Sequence, residues 1–450
     1  MASFQSDDNH IPERVVGTFL DYLKIFQYDK AKDLVDKDKE YCKSNPQDIP
    51  SIWPMILSSL SQLAIAEKSY SSFLYLSPKW FGRKDAKGVY DAVAIECKKI
   101  EEQGARTASK FSSLAYLCGG LTPYVQVKSL MIDFFSSLHA MTSIKFCDRS
   151  DLLLKLSDIL SKCHDPSYHL HQQLEPLIAN FITECEVIES LLQADIAMSK
   201  WCYPESLLHL QNAHTKISHI LSVVSPQATK TSTLIKIGFL GMKTASNPEL
   251  HVWLKKYKDA IYSKFTFYFY DVLSKYSPQG DMKLYLNRCS IDYCTSLITF
   301  HKKTGASLVT LILNSEDLTI KGPGYSNISI PSQTLQGRES YIAIFCYPSS
   351  RVETGELSNL PCLPSCHQAS LVMLMSYNER QLNQSEKPVV SYDEKSNVMY
   401  VVSRIDPAVS LVVIYESKKS DRDKKSILSY LHDISSSLRY TKLFSDLRPS

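Results

Sequence analysis

The spacing of apolar residues changes once along this chain, and that change restricts the fold more than any motif. From Ile11 to about Tyr276 apolar residues recur at helical spacing. Past the turn-forming stretch Ser277-Pro278-Gln279-Gly280, short β-rich runs take over. Helices followed by strands predict two domains with a boundary near Gly280: an all-α domain over residues 1–280 and an α+β domain over residues 281–450. A chain of 450 residues has ample length for both.

Within the first region Val15, Phe19, Leu23 and Phe26 form one stripe, and Trp53 to Leu76 carries another. Leu114 to Met141 reads as a longer apolar helix expected to bend at Gly119-Gly120 and Pro123. Asp151 to Leu160, capped by Ser150, and Leu174 to Ala197 follow, and Pro204 opens another helix. At Asn247-Pro248 the asparagine is expected to cap and the proline to take the first helical position of a helix running through Val272.

In the second region a helix from Leu284 to Phe300 precedes roughly five strands, at Ser307–Leu313, Tyr341–Cys346, Leu371–Met375, Val398–Val402 and Leu411–Tyr415. Asp406-Pro407 marks an antiparallel turn between the last two. The closing segment is the most legible. After the buried run Leu411-Val412-Val413-Ile414-Tyr415, Ser420 stands three residues before Asp423 in a capping-box pattern. Ile427, Leu428, Leu431, Ile434 and Leu438 then recur at helical spacing. Ser225–Thr244 and Tyr347–His367 read as exposed connections.

Composition excludes several classes. The net charge of +3, from 50 basic and 47 acidic residues, argues against a dedicated nucleic-acid binder, and only 14 glycines argue against phosphate-cradling folds. Met1 to His10 lacks the basic and apolar pattern of a signal peptide, so the twelve cysteines are expected as reduced thiols in a soluble cytosolic protein. No window reaches the ~18 apolar residues that span a bilayer, and the sequons at Asn327 and Asn383 have no expected use without secretion.

Candidate chemistry is sparse. Cys362-Leu-Pro-Ser-Cys366-His367, with Cys346 nearby, is metal-like but lacks a second ligand pair, so loop thiols are expected. Cys289 and Cys294 read as buried small hydrophobes on a helix. His209, His214 and His219 recur every five residues and walk around a helix, while His164, His169 and His171 fall in a loop by Asp165-Pro166. Gly322-Pro-Gly324 lacks the glycines and the Lys-Ser/Thr of a phosphate loop. The aromatic run Tyr262 to Tyr270, with Lys264 inside it, could stack bases, yet it covers all faces of its helix and is expected in the core. No catalytic, cofactor-binding or metal-ligating residue is assigned, and no cofactor is expected.

Several segments resemble one family. Phe26-Gln27-Tyr28-Asp29-Lys30-Ala31-Lys32-Asp33, Ala66-Glu67-Lys68, Asn212-Ala213-His214-Thr215-Lys216, Lys264-Phe265-Thr266-Phe267-Tyr268-Phe269 and Val412 to Asp423 are similar to the subunit-two family of the KICSTOR complex, in order, from about Phe19 to Pro449. The resemblance implies the same two-part architecture, and the order of elements after Gly280 is similar, by analogy alone, to roadblock or longin modules. It further implies a non-enzymatic scaffold that helps recruit the GATOR-one complex to the lysosomal surface, where amino-acid or glucose starvation switches off target of rapamycin complex one. Implied partners are kaptin, an integrin-alpha FG-GAP repeat protein and a large seizure-threshold scaffold, without nucleic acid or membrane insertion. The chain departs from the family at its extreme N-terminus, at Ser225–Thr244 and at Tyr347–His367. Two rivals stay open: a cytosolic enzyme with a site assembled from scattered residues, marked by clustered perturbed carboxylates or histidines in a deep pocket, and a nucleic-acid binder, marked by a basic face with exposed aromatics.

Overall fold

A computed structural model describes residues 12–44, 52–77, 85–106, 112–146, 148–165, 172–224, 248–276, 281–316, 318, 340–348 and 364–448. The Ser277–Gly280 turn, Ser225–Thr244, most of Tyr347–His367 (including Cys362), Gly322–Gly324, Asn327, His169 and His171 lie outside the described residues.

The helical region is built from α1 (Pro12–Lys24), α2 (Tyr28–Ser44), α3 (Ile52–Ser71), α4 (Ala86–Arg106), α5 (Ser112–Ala140), α6 (Ser150–Cys163), α7 (Glu175–Ser199), α8 (Tyr203–Val224) and α9 (Glu249–Tyr268). Two short helices, α10 (Tyr270–Tyr276) and α11 (Asp281–Arg288), lead to α12 (Tyr293–Thr304). The single helix expected over Leu284–Phe300 is therefore two, with Cys289 at the break and only Cys294 buried. α12 instead starts at Asp292, whose side chain accepts from the Thr295 amide.

Other helix ends also shift. Arg149, not Ser150, is the N-cap of α6, and the Asp148 carboxylate accepts from the Ser150 amide. Pro248 is the N-cap of α9, so the helix starts one position later than expected, with Asn247 outside the described residues. α5 runs as one helix through Gly119, Gly120 and Pro123. Close packing on α4 accounts for the small residues here. A Cβ on Gly104 of α4 would stand 2.1 Å from the Ala115 Cβ of α5, so only hydrogen fits between these backbones.

The sheet consists of β1 (Leu308–Asn314), β2 (Tyr341–Tyr347), β3 (Val389–Asp393), β4 (Val398–Asp406) and β5 (Val409–Tyr415), in the order β2-β1-β5-β4-β3, with every pair antiparallel. α13 (Ser365–Tyr377) and α14 (Glu379–Gln384) connect β2 to β3, and α15 (Asp421–Leu438) and α16 (Thr441–Ser445) follow β5. The strand expected at Leu371–Met375 is thus the middle of α13, a correction with a plain cause. Four of its five residues are unbranched or otherwise good helix formers, and Leu371 and Met375, four apart, turn to the sheet while Met373 is 73% exposed. The fifth strand is β3, an edge strand too short and polar to stand out.

Both faces of the central strands are covered, which is why β5 reads as an unbroken apolar run and not as an alternation. Val309, Leu311, Val401, Leu411 and Val413 face the core continuous with the helices. Leu308, Tyr400, Val402, Val412 and Ile414 pack under Leu371, Met375 and Leu382 in a second, smaller core. α15 buries Ile427, Leu431, Ile434 and Leu438, and the Ser420 hydroxyl accepts from the Asp423 amide at its start, as the capping pattern predicts. The chain then returns to the helices: Trp253 Nε1 donates to the Leu443 carbonyl at 3.1 Å, and Phe444 packs on Tyr257.

Candidate functional site

The residues singled out by type stay apart. Cys366 is exposed, His367 meets the Tyr400 hydroxyl at 3.1 Å, and Cys346 is buried in β2. His214 and His219 point outward from α8, and His164 closes α6 with Nδ1 2.7 Å from the Leu160 carbonyl. Among the described residues no three His, Cys, Asp or Glu side chains converge as metal ligands, and no helix is long and apolar enough to cross a membrane. Phe265, Phe267, Tyr268 and Phe269 are buried as the helix-wide aromatic pattern predicts, so these rings are closed to bases.

What the structure assembles instead is two clusters of buried charge. The first lies wholly among helices. Glu67 of α3 accepts from the Tyr90 and Tyr124 hydroxyls at 2.9 and 3.0 Å and pairs with Lys128 of α5 at 3.3 Å. Lys128 Nζ also sits 3.8 Å from the Tyr70 ring centroid, and the Tyr70 hydroxyl donates to Glu184 of α7. Burial pushes the Glu184 carboxyl above its ordinary range, against Lys128 and the Tyr70 hydroxyl, with Glu67 reinforcing the rise. Burial, aided by Lys128, brings the nearby His251 imidazole down to about 4. A perturbed acid beside a perturbed histidine is a mark of the enzyme alternative. The cavity between them, however, is about 30 Å³, room for a water and not for a substrate.

The second cluster sits where helices meet sheet. Lys264 lies in the C-terminal turns of α9, where nearly every face is buried, and is 1% exposed. An unpaired ammonium there would be prohibitively costly, so counter-charges must arrive from elsewhere. Asp406, at the end of β4, lies 2.9 Å from Lys264 Nζ, and Asp195 of α7 lies at 3.4 Å. The Tyr268 hydroxyl donates to Asp406, and the Tyr440 hydroxyl donates to Asp195 at 3.1 Å. Arg149 pairs with Asp195 while its guanidinium lies over the Tyr440 and Phe444 rings. Burial alone would raise the Asp406 carboxyl, but Lys264, Tyr268 and Arg149 together hold it below its usual range. α7, α9 and β4, with the starts of α6 and α16, are thereby tied at one point.

Beside this knot opens a recess of about 510 Å³. Lys145, Arg149, Lys200, Lys264 and Arg439 line it, with the carboxylates Asp148, Asp195 and Asp406. Lys145 Nζ donates to the carbonyls of Leu382 and Ser385 at 2.6 and 2.5 Å, joining the connection between α5 and α6 to α14 and the segment before β3. Arg439 donates to the Arg404 carbonyl at 3.1 Å and pairs with Glu386, yet its Nε has no partner. Sequence reasoning passed over this site. The signal available was Lys264 itself, since a lysine inside an aromatic run that covers all faces of its helix must be buried and paired. Its partners stand 69 and 142 residues away and could not be named.

Comparison with known proteins agrees with the sequence resemblance. The family described as "KICSTOR complex C12orf66 like" matches residues 9–450. The chain is similar to KICSTOR subunit 2 of Xenopus laevis, 32% identical over 449 residues that cover 97% of this chain and 96% of that protein. It is also similar to KICSTOR subunit 2 of Danio rerio, 30% identical over 447 residues that cover 97% and 95%.

Proposed function

Because the chain belongs to the KICSTOR C12orf66-like family, we propose that it acts as a non-enzymatic scaffold subunit that helps bring the GATOR-one complex to the lysosomal surface, so that amino-acid or glucose starvation restrains target of rapamycin complex one. The observation that carries the reading is the end-to-end match to KICSTOR subunit 2 proteins, which supports partnership with other KICSTOR subunits. Kaptin, the FG-GAP repeat protein and the large seizure-threshold scaffold are the proposed partners, in the cytosol and at the lysosome. The small volume of the Glu67–Lys128–Glu184 cavity and the burial of the aromatic run speak against the enzyme and nucleic-acid alternatives.

A division near residue 280 into two domains belongs to the same proposal, with the second a roadblock- or longin-like platform. The order α12–β1–β2–α13–α14–β3–β4–β5–α15 around a β2-β1-β5-β4-β3 sheet supports the analogy. Co-purification of kaptin and the large scaffold from cells, with rescue of starvation-induced shutdown, tests the function. Single alanines at His164, His214, His367, Cys362 or Cys366 are expected to leave recovery and rescue intact. Deletion of Ser420–Leu438 is expected to abolish both, because it strips four buried apolar side chains from the sheet. Loss of rescue in one histidine or cysteine variant that still folds and binds partners would reveal a chemical site and overturn the scaffold reading.

A further inference from the structure

The recess at the seam, about 510 Å³, lies beside buried charge, and the established family relation assigns it no role. Its lining carries five basic side chains against three carboxylates, a surplus of two positive charges. Behind the wall Glu386, paired with Arg439, and Arg404 add one charge of each sign and leave that surplus unchanged. Lys264 is fully engaged by Asp195 and Asp406. Lys145 is not: its two carbonyl acceptors leave one ammonium N–H over. Lys200 stands exposed at the rim, at the end of α7. Ser150, the first residue of the 14-residue helix α6, also lines the space, its amide donating to the Asp148 carboxylate. Phe146, Ile196 and Phe444 supply an apolar wall.

A volume near 510 Å³ falls within the range of small-ligand sites. Two surplus positive charges match a phosphate monoester, which carries close to two negative charges at neutral pH, better than they match a single carboxylate. We propose that this recess binds a small organic phosphate, with the phosphate group held by Lys145, Arg149 and Lys200 and the organic part against Phe146, Ile196 and Phe444. Such a ligand touches α6, the end of α7 and the Lys145 link to the segment before β3, and so braces the helices against the sheet. The inference rests on the recess alone and stands independently of complex membership.

One consequence is a proton. Burial, with Arg439 and Arg404 nearby and Glu386 opposing them, brings the Lys145 ammonium down to about 8. Bound phosphate favours the charged amine, so affinity is expected to fall as pH rises through 8.

The test is titration of the purified full chain with adenosine monophosphate, glycerol phosphate, inorganic phosphate and citrate at fixed ionic strength, by calorimetry and by thermal shift. Saturable binding of at least one phosphate ester, tighter than inorganic phosphate, is expected. Lys145→Gln and Lys200→Gln should each weaken it about tenfold or more. Lys145→Gln should also flatten the loss of affinity above pH 8. Lys216→Gln, which removes a surface partner of Glu186 elsewhere on α8, should change nothing. Absence of saturable phosphate binding, or wild-type affinity in Lys200→Gln, overturns the proposal. Binding of citrate without phosphate overturns the choice of phosphate, and esters no tighter than inorganic phosphate overturn the organic part. Should Lys145→Gln unfold through its lost carbonyl contacts, the exposed Lys200→Gln decides.

Discussion

Lys128 and Lys264 are both buried lysines paired with buried carboxylates among tyrosines, Lys128 with Glu67 and Lys264 with Asp195 and Asp406, yet their surroundings differ in kind. Lys128, Glu67 and Glu184 belong to α5, α3 and α7, helices of one bundle, around a space of about 30 Å³. Lys264, Asp195 and Asp406 come from α9, α7 and β4, beside a space of about 510 Å³. Buried ion pairs add little net stability against apolar packing, but removing one partner is costly because the other stays buried and uncompensated. Their value is therefore positional. The first cluster fixes how helices of one region register with each other. The second fixes how that region meets the sheet.

The sharpest way to break this comparison is Lys128→Met against Lys264→Met. Each is expected to cost about 3–5 kcal/mol in urea unfolding, since Lys128→Met leaves Glu67 and Lys264→Met leaves Asp406 buried without an ammonium partner. The two should differ in cooperativity. All four tryptophans precede residue 280, so their fluorescence follows the helical region, whereas circular dichroism follows the whole chain. Lys264→Met should separate the two signals into distinct transitions, and Lys128→Met should lower a single shared one. Coincident transitions in Lys264→Met would mean that apolar packing alone couples the two regions.

A smaller effect distinguishes the clusters by pH. His251, beside Lys128, titrates near 4 in the folded chain against 6.5 when unfolded. The unfolded chain therefore binds the proton first, and stability falls as pH drops from 6.5 to 4, by on the order of 3 kcal/mol. Glu184 has the opposite sign: its carboxyl is raised, so acid favours the folded state through that group. His251→Phe keeps a ring against Phe26 and removes only the imidazole titration, so the variant should be relatively more stable than wild type below pH 6. An unchanged pH profile would place the acid sensitivity elsewhere.

Within the helical bundle, Gly104→Ala is expected to cost about 1–3 kcal/mol, although alanine is the better helix former, because its methyl meets Ala115 across α4 and α5. Stabilisation measured by thermal unfolding would show that these helices can part freely. The smallest effect is expected on the sheet side. Ser420→Ala removes the cap of α15 and should cost about 1 kcal/mol, with the loss seen as faster amide exchange in the first turn of that helix.

Local rules succeeded where a segment's own residues settle its conformation. The helical stripes, the apolar run of β5, the Asp406-Pro407 turn and the Ser420 cap all depend on neighbours a few positions away. The same rules misread Leu371–Met375, because an apolar pentapeptide fits a buried strand and a helix face equally well until its packing partner is known. They also missed β3. Its partner β4 supplies the ladder, and Asn397, in the left-handed region at φ 56°, supplies the turn.

By itself the sequence determined the order of helices before strands, the closing strand and helix, the burial of the aromatic run and the family to which the chain belongs. Each is written in residue spacing or in residue identity. Only the tertiary structure decided that α13 is a helix, that one apolar core runs from the helices to a face of the sheet, and that Lys264 meets Asp195 and Asp406. The reason is physical. Helical and strand periods are imposed by bonds between near neighbours, whereas the neutralising of a buried charge depends on groups that only the folded chain brings within reach.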